Sequence, residues 1–161
     1  MSHIKKFESF SLADPEYKYT VFHGTDSHFD EFIVGDNRHG DLYGKGIYFT
    51  DNYKYAKTFG EIVMKCEIVI YNPFDLTKKD MSHFLKIRDY IDDEKELEYF
   101  DSGYKSKAYT SILNRLRYKG LFSNKILEEL DYDGIIGYSE MGGKEYVVFS
   151  PNQVNVIRPS V

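Results

Sequence analysis

Runs rich in β-branched and aromatic residues stand towards both ends of this chain, and a helix-patterned stretch separates them. This order constrains the fold more than any other feature. Strands far apart in sequence must pair, and helices do not alternate with strands as they would in a doubly wound sheet. The first set of strand-like runs is "YKYTVFHGT" (17–25), "GIYFT" (46–50) and "EIVMKCEIVIY" (61–71). The second set is "GIIGY", "EYVVF" and "QVNVI", with Pro151 and Asn152 turning between the last two. Between them, "DMSHFLKIRDYI" places Phe84, Ile87 and Ile91 at helical spacing, and "DDEKELEYF" continues after a break. "SKAYTSILNRLRYKG" aligns Ala108, Ile112, Leu113 and Leu116, and "SNKILEELDYDG" runs from a Ser cap to Gly134. The reading is α+β, a single domain over 1–161, long enough to bury a core without disulfides.

Finer expectations follow. "SHFDEFIVG" reads as a short helical turn or an irregular segment, and 35–44 as a polar glycine loop. Asp51 is placed to cap a short helix carrying Tyr55, Ala56 and Phe59 on one face, which Gly60 ends. "NPFDL" reads as a turn leaving the 61–71 strand.

Several functions lose support from residue usage. Cys66 is the one cysteine and lies in an apolar run, so an inert core thiol is expected rather than a nucleophile. His23, His28 and His39 match no common zinc spacing, so no metal site is assigned. Gly44 and Gly46 lack the third glycine and long helix of a dinucleotide fingerprint. The net charge of −5 argues against charge-driven nucleic-acid binding, although a local basic groove stays open. Lys105, Lys107, Arg115, Arg117 and Lys119 read as a solvated helix face. "MSHIKKFESF" lacks the apolar core of a signal peptide, and no stretch is apolar enough for a membrane span. A cytoplasmic protein with no membrane partner is the resulting expectation.

One set of residues carries chemistry. His23 ends a strand before Gly24, Tyr48 lies in a second, and Glu145 opens a third after Gly142 and Gly143. Strand ends remote in sequence can meet in one cleft. The segments "FHGT", "YGKGIYFTDNYKYAKTFG" and "EYVVFSPNQVNVI" resemble the ADP-ribosyltransferase superfamily. The similarity is to the branch with a His–Tyr–Glu triad, which includes diphtheria toxin and the poly(ADP-ribose) polymerases, and to its small bacterial and phage members.

This resemblance implies a split, mostly antiparallel β sandwich with an NAD cleft between two small sheets and a helical insert. NAD is then the substrate. His23 would bond the adenosine ribose, the Gly24 main chain would hold the nicotinamide carboxamide, Thr25 would be among the NAD-binding residues, and Tyr48 and Phe59 would bracket the nicotinamide. Glu145 would stabilise the positive charge that develops at the anomeric carbon. The catalytic set is therefore His23, Tyr48 and Glu145. The loop 35–43, with Arg38 and His39, is either a cover for the phosphates or a plain solvated loop. The Gly142–Gly143 pair implies a mobile loop that meets the acceptor.

Departures from the family pattern are Phe59 in place of Tyr, Ala56 where the polymerases carry a carboxamide-binding serine, and Gly143 where arginine-specific transferases carry Glu or Gln. The last disfavours arginine as the target. The implied activity is mono-ADP-ribosyl transfer from NAD to a protein or nucleic acid, by a monomer. An inhibitor or antitoxin protein is among the partners this reading admits. NAD hydrolysis and a silent NAD-binding module are the alternatives, and toxin, phage factor and defence effector are the settings.

Overall fold

The computed structural model describes residues 14–29, 31–34, 43–78, 80–106, 108–118 and 124–157. Their order is β1 (Lys18–Thr25), β2 (Ile47–Thr50), α1 (Tyr53–Lys57), β3 (Ile62–Val69), β4 (Pro73–Asp75), α2 (Ser82–Arg88), α3 (Glu94–Ser106), α4 (Tyr109–Tyr118), α5 (Asn124–Glu129), β5 (Gly134–Tyr138), β6 (Lys144–Val148) and β7 (Val154–Val156). Strands, then helices, then strands is the α+β order read from the sequence. No described helix is long and apolar enough to cross a membrane.

The strands form one hydrogen-bonded sheet in the order β4-β5-β6-β2-β1-β3-β7, not two separate sheets. Only β4 and β5 run parallel. The sheet narrows between β1 and β2, where the register holds one pair, Phe22 with Thr50. On its other side β1 pairs along its whole length with β3, from Lys18 opposite Val69 to Thr25 opposite Ile62. The half β4-β5-β6-β2 and the half β1-β3-β7 thus meet at a pinch, and beyond Phe22 the two central strands diverge. A pinched sheet replaces the expected sandwich because this single pair keeps the ladder continuous.

The two faces of the sheet bury different clusters. Phe84, Ile87, Phe100, Ile112, Leu116 and Leu127 of α2 to α5 pack on Phe74, Ile135 and Val147. On the opposite face Val21, Ile47, Phe49, Met64, Cys66, Ile68, Ile136, Tyr146 and Val148 form the second core. Period-two alternation in "GIIGY" and "EYVVF" divides these side chains between the faces. Cys66 is fully buried, and burial pushes its thiol up to about 12, as expected of an inert core cysteine.

Three local expectations change. The cap of α1 is Asn52, whose side chain accepts the Tyr55 N–H at 3.3 Å, while Asp51 accepts the Lys144 N–H at 2.8 Å. Pro73–Asp75, read as part of a turn, is an edge strand, and an edge tolerates the missing proline donor. Arg115, its side chain 41% exposed, has partners besides solvent. It pairs with the buried Glu96 of α3 and lies 5.3 Å from the Tyr99 ring centroid. Lys107 and Lys119 lie outside the described residues.

Gln153 closes the end of the domain. Its Oε1 accepts the Phe149 and Ser150 N–H groups, each at 3.0 Å. Its Nε2 donates to the carbonyls of Val69 at 3.0 Å and Asp133 at 2.8 Å. Asp133 in turn accepts the N–H groups of Tyr71 and Asn72. A buried amide is stable here because each of its polar atoms is satisfied.

Candidate active site

The pinch between β1 and β2 opens into a cleft. Where the backbone ladder stops, the His23 imidazole takes over, its Nδ1 lying 2.7 Å from the Tyr48 carbonyl. A carbonyl only accepts, so Nδ1 carries the hydrogen and Nε2 is the acceptor of the neutral ring. Phe29, Phe32 and Phe49 surround the ring, with centroids 5.9, 5.0 and 5.6 Å away. Burial holds His23 below the usual histidine range, opposed in part by the Tyr48 carbonyl. The ring is therefore neutral at neutral pH.

Glycine permits the next step of the architecture. A Cβ at Gly24 would overlap the Ala56 carbonyl and lie 3.2 Å from the Phe59 Cβ. A Cβ at Gly60 would likewise overlap the Thr25 carbonyl. The end of α1 therefore rests directly on β1, and Phe59 with it. The role of Gly24 visible in the fold is close packing of helix on strand.

Tyr48 commits its hydroxyl to the preceding loop. It donates to the Gly44 carbonyl at 2.6 Å and accepts the Tyr43 N–H at 2.8 Å. This fixes the ring as a wall. Thr25 accepts the Ser27 N–H in a local turn at the rim.

Glu145 stands on β6 opposite Thr50 of β2 and is 6% exposed. Hydrogen bonds from β2 and the start of α1 reach the turn before it. Asn52 Nδ2 donates to the carbonyls of Met141 and Gly142 at 3.2 and 3.1 Å. Thr50 Oγ1 and the Asp51 N–H donate to the Lys144 carbonyl at 3.0 and 3.2 Å. Gly142 and Gly143 have φ of 90° and 79°, so the turn takes a shape that side chains disfavour.

These residues enclose two adjoining hollows of about 380 and 360 Å³, within the usual size range of small-molecule sites. His23, Gly24, Tyr48 and Phe59 line both, so the hollows are one cleft. Glu145 lines the first and Thr25 the second. His23, Gly24, Thr25, Tyr48, Phe59 and Glu145 therefore border the same cleft. Arg38 and His39 lie outside the described residues. Among the described residues, no group of three or more His, Cys, Asp or Glu is placed to hold a metal.

Sequence reasoning missed Tyr55 as a cleft residue. It lines the first hollow, is 8% exposed, and meets Phe59 edge-on with centroids 5.0 Å apart. Burial, then the Glu145 and Glu140 charges, push its phenol up to about 12. Its place on one helix face with Ala56 and Phe59 was the available signal. Glu140 and Met141 also reach the cleft, and no sequence pattern marked them.

The family model described as "ADP-Ribosyltransferase in polyvalent proteins" matches residues 18–160. No curated protein matches the sequence. A solved structure described as "Crystal structure of an anti-CRISPR protein" is 14% identical, covers 87% of this chain and 96% of that chain, and has a TM-score of 0.46.

Proposed function

Because this chain belongs to the ADP-ribosyltransferase family of polyvalent proteins, we propose that it binds NAD in the β1–β2 cleft and transfers ADP-ribose to a macromolecule, by the chemistry of the His–Tyr–Glu branch. The observation that carries this reading is the shared lining of one hollow by His23, Tyr48 and Glu145. They come from three neighbouring strands of the sheet.

Each residue has a task that its surroundings support. Neutral His23, fixed by the Tyr48 carbonyl, offers Nε2 to a ribose hydroxyl. Tyr48 and Phe59 border the cleft together and bracket the flat nicotinamide, and such stacking contributes about 0.5–1.5 kcal/mol. The bond between the nicotinamide nitrogen and the ribose C1′ breaks, and nicotinamide leaves neutral with the bonding pair. Positive charge develops on C1′ and the ring oxygen. The Glu145 carboxylate, in a largely dry site, stabilises that charge more than it stabilises the substrate, which lowers the barrier. A lone pair of the acceptor then closes on C1′, and the acceptor loses its proton.

The acceptor is a protein or nucleic-acid group, and one modification per site is the expected product. Incubation with labelled NAD and cell lysate tests the reading. A labelled macromolecule, absent with Glu145→Gln, supports it. Free ADP-ribose without a labelled macromolecule assigns water as the acceptor instead. NAD binding with no nicotinamide release leaves a binding module. Mass spectrometry of the labelled fraction identifies the modified atom.

A further inference from the structure

Thr50, Glu145 and Gly137 stand side by side on β2, β6 and β5. Directly opposed residues of antiparallel strands project to the same face. The three therefore form one row, and its third member has no side chain. The Tyr43 hydroxyl fills that gap, with the oxygen 2.5 Å and Cζ 2.9 Å from where a Cβ at Gly137 would lie. Side chains opposite one another have Cβ atoms roughly 5 Å apart. The Tyr43 phenol thus enters the row beside Glu145, within reach of its carboxylate.

Tyr43 is also well anchored. It is 1% exposed, it packs with the helical core, and its N–H donates to the Tyr48 hydroxyl. One residue thereby touches the wall of the cleft and the row that holds its carboxylate. Resting on the reading of Glu145 given above, we propose that Tyr43 is a positioning residue for Glu145. Lodged in the notch left by Gly137, its hydroxyl donates to the carboxylate and fixes the rotamer. Phenols keep their proton at working pH, so the bond favours the charged carboxylate. The other titratable groups lining the hollow with Glu145 are Tyr55 from α1, whose phenol feels its charge, Tyr48 from β2, His23 from β1 and Glu140 from the turn before β6.

Tyr43→Phe keeps the ring and removes only the donor. It is expected to lower kcat for nicotinamide release about tenfold, with KM for NAD within twofold. The acid limb of the rate profile and the ¹³C titration of the Glu145 carboxyl, assigned with Glu145→Gln, should both move to higher pH. Gly137→Ala pushes the phenol out and should reproduce these changes. The losses in the double variant should be less than additive, since both changes remove the same hydroxyl from the row, while the new Cβ still crowds Cζ of the ring.

An unchanged carboxyl titration in Tyr43→Phe overturns the proposal, whatever the melting temperature does. A shifted titration with full kcat overturns the positioning role. The titration needs no turnover, so a wild-type protein that releases no nicotinamide defeats the proposed activity and still reveals where the Tyr43 hydroxyl points.

Discussion

The Nδ1 of His23 lies 2.7 Å from the carbonyl of Tyr48 at the point where β1 and β2 cease to pair. A side chain thus completes what the backbone ladder leaves off, and the gap it bridges is the mouth of the cleft.

This bond has a pH signature. Burial lowers the folded-state pKa of His23, and burial also lowers that of His83. A base whose folded pKa is depressed contributes its full stability above the unfolded value, near 6.5, and loses it as pH falls through the folded value. The protein should therefore melt at a lower temperature at pH 5.5 than at pH 7.5. His23→Asn should shrink that difference, and His83 should account for part of the remainder. Melting curves at the two pH values check this; an equal difference in wild type and variant counts against a buried neutral His23.

Glu145→Gln conserves volume and removes the charge. Nicotinamide release should fall about 10²- to 10³-fold. NAD affinity, measured calorimetrically, should change little, because the lost interaction belongs to the transition state. A variant that keeps more than a tenth of the rate would remove Glu145 from the reaction.

Gly24→Ala should injure the cleft through the helix. The added methyl meets the Ala56 carbonyl, so α1 must shift away from β1 and carry Phe59 with it. Overpacking of this kind costs about 1–3 kcal/mol. The unfolding free energy from denaturant titration should fall by that amount, and NAD binding should weaken beyond what unfolding explains. Gly142→Ala, whose Cβ would meet nothing within 4 Å, should instead act only through its φ of 90°.

Gln153→Ala strips a buried amide of four hydrogen bonds and leaves their backbone partners unsatisfied. A loss of about 2 kcal/mol is expected, read as a drop of roughly 4–8 °C in Tm. Catalysis per folded molecule should be unaffected, since Gln153 lies away from the cleft residues.

The long β-branched runs and the helix periodicity were legible in the sequence because each states its burial pattern locally. That His23, Tyr48 and Glu145 would meet in one cleft was legible through short motifs at strand ends. What stayed hidden depends on register. Nothing local to Tyr43 or Gly137 says that one fills the gap of the other, because that contact arises only once β5 pairs with β6. Asn52 displaced Asp51 as the cap because Asp51 had a partner across the sheet at Lys144. Pro73–Asp75 escaped notice because a three-residue edge strand follows its neighbour's pattern more than its own. The hydrogen bonds that Asp51 and Asn52 make to the turn around Gly142–Gly143 were not legible, because they come from a distant segment.

The placement of β6 against β2 sets a timetable for synthesis. Thr50 and Lys144, hydrogen-bonded neighbours in the sheet, are separated by 94 positions along the chain. A nascent polypeptide that already displays His23 and Tyr48 outside the ribosome still lacks its carboxylate and the strand that carries it. Such distant pairing forms late and slowly. The cleft is therefore complete only when nearly the whole sheet has closed.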